Sequence, residues 1–209
     1  MKRQVMKKQI IEGAEAIERA LSAISSAGRT IRKLSQVLDY GSQKGTISYQ
    51  EIREIIKDDP EDILLMAESW RLMLPVRSGK SSSWEDRLLL LKDGEVYEIP
   101  NIIKYLVKDA LHTGEWDPEK AIGELFKELR DPDWERMPEL VTAIATESIN
   151  HRISSNQIKK VCLHFGFGNR VDWLIAELKA AGIMSPKLGS IPDVMGAGSP
   201  IYELNPSVI

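Results

Sequence analysis

Apolar residues recur at helical spacing through most of the chain. Near the N-terminus they form one stripe at intervals of three and four residues, which predicts a helix over residues 5–38 that can break at Gly28. A loop is predicted at residues 41–45. Ser48 and Glu51 have the spacing of a capping box, which predicts that another helix begins there. The members of the first stripe are Ile10, Ile11, Ala14, Ile17, Leu21 and Ile24.

The next segment predicts a helix followed by two strands. Pro60 suits the first position of a helix, with Asp59 as its cap. The apolar run 88–91 and the segment 96–99 flank Asp93 and Gly94, a pair that favours a tight hairpin turn. We therefore expect a β-hairpin over residues 88–99.

Residues 101–150 have the pattern of three helices. The first covers the stripe from Ile102 to Leu111, the second begins at Asp117-Pro118, and the third extends to Ile149. No strand pattern interrupts them. The middle of the chain is therefore predicted to be helical.

The last sixty residues carry the clearest pattern. Ser154 or Ser155 is expected to cap a helix, and a tight turn at 166–168 leads to a second helix that Gly182 ends. A strand over 183–185, a loop over 186–200 and a return strand over 201–204 follow. The inward face of the second helix is predicted to comprise Val171, Leu174, Ile175 and Leu178.

The same order of elements occurs twice along the chain. Ile47-Ser48 aligns with Ile153-Ser154 at an offset of 106, and Pro75 aligns with Pro186 at an offset of 111. An order of helix, helix, turn, helix, strand, loop and strand resembles the winged-helix fold. The fold class expected is mainly α with small β-hairpins, as tandem winged-helix domains at 1–100 and 133–209 joined by a helical linker at 101–132.

The C-terminal half also resembles the gamma domain of FtsK-type DNA translocases, a small winged helix that reads DNA. The resemblance spans residues 157–194, about one-fifth of the chain, and it implies a DNA-binding ancestry for this half. Motor motifs are missing from the sequence. The matching residues are Phe165-Gly166-Phe167-Gly168-Asn169-Arg170, Leu174-Ile175, Ala181-Gly182-Ile183, Pro186, Gly189-Ser190, Pro192 and Val194.

The amino-acid composition restricts the class of protein and the cellular compartment that we expect. The 209 residues are 43% hydrophobic and 28% charged, which is typical of a folded protein. The apolar runs are too short to span a membrane, and acidic residues soon after Met1 do not fit a signal peptide. Cys162 is the single cysteine, so no internal disulfide can form and we expect a cytoplasmic protein.

Charge is distributed unevenly despite a net charge of -3. Residues 1–33 hold eight basic and three acidic residues, and residues 151–209 hold six basic and four acidic. Residues 47–75 hold three basic and seven acidic residues. A polyanion would therefore be attracted to the two ends of the chain and repelled by its middle.

The principal hypothesis is a non-enzymatic protein that binds double-stranded DNA. Asn169 and Arg170 would reach base edges from the start of the recognition helix, unless Asn169 only caps that helix and Arg170 is only a surface charge. Lys159, Lys160 and Lys187 would contact phosphates, together with Ser190 in the wing. Nonspecific contacts are expected from Lys2, Arg3, Lys7, Lys8, Arg77 and Lys80.

The alternative hypothesis is a protein-interaction scaffold. Four acids, Asp58, Asp59, Glu61 and Asp62, precede or begin the first recognition helix and would repel phosphate there. The N-terminal helix would then pack on a partner or on a second copy of the chain. An enzyme is a third, weaker alternative, for which no residue pattern indicates a reaction.

No cofactor is expected. The segment 78–81 resembles the end of a phosphate-binding loop, but Leu74 stands where that motif needs glycine. The three histidines are scattered, and Cys162 fits a small core residue. The sequence therefore predicts neither a nucleotide site nor a metal site.

Overall fold

The computed structural model describes residues 13–24, 28–76, 83–187 and 199–209. The chain is mainly helical with two small antiparallel sheets of three strands each, so the predicted fold class of mainly α with small β elements is confirmed. It divides into two compact units, Met1–Val76 with Leu89–Asp117 and Arg77–Leu88 with Pro118–Ile209.

These units divide the chain at other places than the predicted domains 1–100, 101–132 and 133–209. The region 101–132 does not form a separate linker. Its first helix packs against a long helix of the first unit, and its second packs against helices of the second unit. Buried apolar stripes on both helices, represented by Leu106 and Phe126, account for this packing.

The described residues of the first unit form five helices and three strands. Residues 13–22 are helical (α1). The other elements are α2 (Gly28–Lys44), β1 (Thr46–Ser48), α3 (Tyr49–Ile55), α4 (Pro60–Ser69), β2 (Leu74–Pro75), β3 (Val96–Glu98) and α5 (Asn101–Thr113).

Local sequence signals explain some of the helix boundaries of this unit, but not all of them. Ser48 and Glu51 form the predicted capping box of α3. Pro60 begins α4 as predicted, but the Asp59 side chain does not cap it, since Asp59 has a left-handed backbone and no capping hydrogen bond. The predicted loop at 41–45 is wrong, because α2 continues to Lys44. Gly41 lies inside this helix, where a Cβ atom would come within 2.7 Å of Ile99 Cδ1.

The sheet of the first unit has the order β1-β3-β2. Tyr97 in β3 lies opposite both Ile47 and Pro75. The predicted strand at 88–91 is wrong, because residues 87–91 have no strand geometry and β3 pairs with β1 and β2. This run is instead held by side-chain contact, since Tyr97 Oη donates a 2.5 Å hydrogen bond to the Leu90 carbonyl.

The second unit contains four α-helices, one short 3-10 helix at Trp134–Arg136 and three strands among its described residues. The predicted extension of the third middle helix to Ile149 is wrong, because that helix ends at Thr146. The elements are α6 (Pro118–Glu128), α7 (Met137–Thr146), β4 (Arg152–Ser154), α8 (Ser155–His164), α9 (Val171–Ala181), β5 (Met184–Pro186) and β6 (Ile201–Leu204).

The helices of this unit follow their sequence signals closely. Ser154 caps α8 through a capping box with Gln157. Gly182 ends α9 in a left-handed conformation with φ of 79°. The predicted inward face of α9 is confirmed, because Val171, Leu174 and Leu178 are buried.

The second sheet repeats the topology of the first, with the order β4-β6-β5. Tyr202 in β6 lies opposite Ile153 and Pro186, just as Tyr97 lies opposite Ile47 and Pro75. The internal repeat is therefore confirmed in strand register at both predicted offsets. Each copy also contains a short strand before its second helix, β1 or β4, that the predicted order lacked.

Residues 83–88 belong to the second unit although they lie between β2 and β3 in the sequence. Trp84 is buried, and its backbone N–H donates a 2.9 Å hydrogen bond to Ser185 Oγ in β5. Glu85 forms an ion pair with Lys187. Residues 83–88, the described part of the predicted first wing, are thus attached to the second unit by the buried Trp84 and by the ion pair of Glu85.

Candidate interaction surface of the second unit

The start of α9 is held by a turn that begins at the end of α8. The Phe167 N–H donates a 2.7 Å hydrogen bond to the Cys162 carbonyl. Arg136 donates a 2.7 Å hydrogen bond to the Phe165 carbonyl, and its guanidinium lies 4.7 Å from the centre of the Phe167 ring. These contacts fix the position from which residue 170 enters α9.

Arg170 lies between two carboxylates and two aromatic rings. Its guanidinium donates hydrogen bonds of 2.5 Å to both Asp131 and Asp133. The same group lies 4.5 Å from the ring centre of Trp173 and 5.7 Å from that of Phe167. The Asp131 side chain is fully buried, so Arg170 compensates a carboxylate that water cannot reach.

This geometry corrects the sequence-based role of Arg170. A guanidinium bound to two carboxylates is not available for the edge of a base, and the Arg170 side chain is only 18% exposed. The alternative of a solvated surface charge is also wrong for the same reason. Asn169 is exposed and precedes the residue at the cap position, so it is not the helix cap.

The sequence did not predict that Asp131, Asp133 and Arg170 form one cluster. The pattern Asp131-Pro132-Asp133 indicated only an interruption between helices. Almost forty residues separate these acids from Arg170. Only the tertiary fold brings the start of α9 next to the loop between α6 and the 3-10 helix.

The other predicted phosphate contacts of this unit fall into two groups. Lys187 is paired with Glu85, and its side chain is only 16% exposed. Lys159 and Lys160 on α8 are exposed, and neither has an ion pair with any described residue. The helix α8 has no acidic residue, so these two lysines form its charged surface.

The outer face of α9 is apolar and acidic. Trp173, Ala176 and Ala180 are exposed and follow one another at spacings of three and four residues, which places them on one face. The Trp173 side chain is 49% exposed. Asp172 is exposed beside it, and Lys179 is the single basic residue of this helix.

The equivalent helix of the first unit, α4, has a similar character. Asp62, Leu65 and Ser69 are exposed on one face, and the helix contains neither lysine nor arginine. Leu65 is 52% exposed. Neither third helix of the repeat therefore presents the basic surface that phosphate binding needs.

Burial also changes the pKa values of two groups in this unit, Glu177 and Cys162. It raises the pKa of Glu177, the negative charge of Asp131 raises it further, and Arg170 opposes both. Burial likewise raises the pKa of the Cys162 thiol, which lies in the core as predicted. Burial therefore shifts the equilibrium of both groups towards the protonated form.

Within the described ranges, His, Cys, Asp and Glu side chains do not come together in a group of three or more that could hold a metal ion. Over those residues, too, no helix has the length and apolar character needed to cross a bilayer.

Seven predicted contacts lie outside the described residues. One is Ser190 in the predicted C-terminal wing. The others are the residues expected to make nonspecific contacts, Lys2, Arg3, Lys7, Lys8, Arg77 and Lys80.

Comparison with known proteins places the chain in a family. A family model matches residues 15–209, so the chain belongs to that family over both units. A search of curated proteins and a search of solved structures each gave no significant match.

Proposed function

We propose that the chain is a non-enzymatic protein-interaction scaffold of two winged-helix units, and that a partner protein docks on the outer face of α9. Both units have the element order helix, strand, helix, helix, strand, strand, and both sheets place the last strand in the centre. That arrangement supports the winged-helix assignment. In such a unit α9 is the third helix, the one that usually contacts a ligand.

The observation that carries the proposal is the exposed Trp173 on that helix. Tryptophan is enriched at the centres of protein interfaces, where a rigid ring provides a large contact area. Arg170 stacks on this ring and is held by Asp131 and Asp133. The indole is therefore held in place before a partner arrives, which lowers the entropic cost of binding.

The charge of the outer face of α9 indicates which kind of partner can bind there. Asp172 adjoins Trp173, and the α9 face carries no exposed lysine or arginine. A phosphate backbone would be repelled there, whereas a protein segment that combines an apolar side chain with lysine or arginine would be complementary. We therefore infer a partner surface that is apolar at its centre and basic at its edge.

A photo-crosslinking experiment tests the docking face. A photoreactive amino acid replaces Ala176 in one variant and Lys159 in a matched control on α8, and both are irradiated in extract of the source cells. We expect position 176 to crosslink one discrete protein, and excess unlabelled wild-type chain to suppress that product. Excess Trp173→Ala chain should suppress it at least tenfold less well, since loss of a central tryptophan costs about 2 kcal/mol or more of binding energy.

Two outcomes would count against this assignment. One is equal crosslinking of the same proteins from positions 176 and 159, which indicates nonspecific contact. The other is equal competition by wild-type chain and by the Trp173→Ala variant, which shows that the indole has no part in recognition.

Double-stranded DNA remains a second candidate because Lys159, Lys160 and Asn169 are exposed on neighbouring elements. Fluorescence anisotropy of a mixed-sequence duplex at low and moderate salt tests it. If these lysines contact phosphates, Lys159→Gln and Lys160→Gln should each weaken binding and flatten its salt dependence. If the duplex does not bind even at low salt, the DNA proposal fails.

A further inference from the structure

A groove lies between α7 and α8 in the second unit, with a volume of about 660 Å³. One wall contains Ala143 and Glu147 at the end of α7, and the other contains Lys160 and His164 on α8. The volume is within the range of small-molecule sites. Neither the sheet nor α9 contributes to its lining, so the groove is separate from the proposed docking face.

Some polar groups in this lining are already engaged within the protein. The side-chain oxygen of Gln157 accepts hydrogen bonds from Ser154, and its amide group donates a 3.5 Å hydrogen bond to the Glu147 carbonyl. Thr146 Oγ1 donates to the Thr142 carbonyl. The Lys160 ammonium, the His164 ring and the Glu147 carboxylate are the charged or titratable groups that remain in the lining.

The two groups on α8 are placed to act together. Lys160 and His164 are four residues apart, so their side chains are neighbours on one face of the helix. Neither forms an ion pair with a described residue. An ammonium beside an imidazole provides hydrogen-bond donors for a single carboxylate or a similar anion.

The rest of the lining restricts the ligand further. Ala143, Val161 and Phe165 add an apolar surface next to the two donors. Glu147 on the opposite wall would repel a second negative charge. A polyanion such as a nucleic acid backbone therefore fits this groove poorly, whereas one anionic group on an apolar body fits it well.

We propose that the groove between α7 and α8 binds a small organic monoanion, a carboxylate on an apolar body, with the carboxylate at Lys160 and His164. The apolar body would lie against Val161 and Phe165. The proposal does not depend on the protein-docking function, because the two sites use different helix faces.

The test compares two probes that differ in charge and not in shape, 1-naphthaleneacetate and 1-naphthaleneacetamide. Each is titrated into ¹⁵N-labelled full-length protein, and amide shifts are followed by NMR. We expect saturable shifts for residues 157–165 with the carboxylate and at least about tenfold weaker binding of the amide, the loss expected for one charge-assisted hydrogen bond.

Variants on α8 provide the matched control. Lys160→Gln should weaken binding of the carboxylate by about tenfold or more, whereas Lys159→Gln, one residue away and outside the lining, should change it less than twofold. Unchanged spectra in the rest of the protein will show that each variant is folded. Equal binding of the two probes, equal effects of the two variants or the lack of saturable shifts at 157–165 would each overturn the proposal.

Discussion

At the scale of single residues, Arg170 shows how a basic side chain can be structural. A lysine or arginine at the start of a recognition helix is well placed to contact nucleic acid. Here the guanidinium is instead held by Asp131 and Asp133 and stacks on Trp173. Because Asp131 is buried, removal of the arginine would leave a carboxylate without a counter-charge in a region of low polarity.

Arg170→Ala should therefore lower the free energy of unfolding by about 3 kcal/mol, in the range observed when one partner of a buried ion pair is removed. Urea denaturation followed by circular dichroism measures the change. The double variant Arg170→Ala/Asp131→Asn should be less destabilised than the sum of the single variants, since it no longer leaves a buried charge.

Lys159→Ala is the control for that experiment, because Lys159 is exposed on α8. It should change the free energy of unfolding by about 0.5 kcal/mol at most. If Arg170→Ala were as mild as Lys159→Ala, the arginine would be a surface charge after all.

At the scale of elements, each unit has a capping box at the equivalent helix, with a glutamate in the first unit and a glutamine in the second. Ser48 with Glu51 caps α3, and Ser154 with Gln157 caps α8. In α3 the glutamate also accepts a 2.6 Å hydrogen bond from Lys44. That bond, together with hydrogen bonds from Ser48, lowers the pKa of Glu51 to about 2.

Glu51→Gln should keep the capping box, as Gln157 does in α8, and lose the interaction with Lys44. We expect the free energy of unfolding to fall by about 1 kcal/mol at pH 7, a modest amount because nearly a third of the Glu51 side chain is exposed. The pKa is lowered in the folded state, so the stabilisation is complete above about pH 4.5 and disappears as the pH falls towards 2.

Denaturation of both proteins between pH 7 and pH 2.5 measures this difference. The exposed Glu139 in the first turn of α7 provides a control, and Glu139→Gln should change the free energy of unfolding at pH 7 by about 0.5 kcal/mol at most. A gap between wild type and Glu51→Gln that stays constant down to pH 2.5 would contradict the assigned ion pair.

At the scale of the whole molecule, the compact units are not continuous in sequence. Residues 83–88 belong to the second unit, and residues 89–117 belong to the first. The anchor of the short segment is Trp84, which is only 4% exposed, with its backbone bonded to Ser185. The stability of the second unit thus depends on residues far from it in the sequence.

Trp84→Ala should lower the free energy of unfolding of the second unit by about 3 to 5 kcal/mol, the cost of removing a buried tryptophan from a core. Trp173→Ala removes the same side chain from an exposed position and should cost about 1 kcal/mol, mainly from lost stacking with Arg170. Hydrogen exchange of amides in β5 and β6 locates the effect. Equal protection of these strands in both variants would show that Trp84 does not anchor the segment.

The sequence was sufficient for features that depend on neighbouring residues. The capping box at Ser48, a serine cap at Ser154 or Ser155 and the buried stripe of α9 followed from residues within one or two helical turns of each other. The repeat could also be recognised, since Pro75 and Pro186 occupy the same register in their sheets. At Gly41 the local signal predicted a loop, but the helix continues, and the absence of a Cβ leaves room for Ile99.

The sequence by itself determined the mainly helical class, the presence of an internal repeat and most inward-facing residues, because hydrophobic spacing and capping act over a few residues. Only the tertiary structure decided which strand pairs with β3, which unit contains residues 83–88, and which basic residues are engaged. Each of those outcomes depends on contacts between distant segments, such as Arg170 with Asp131 and Lys187 with Glu85. A charge in the sequence indicates what a surface can bind only after its partners in the folded chain are known.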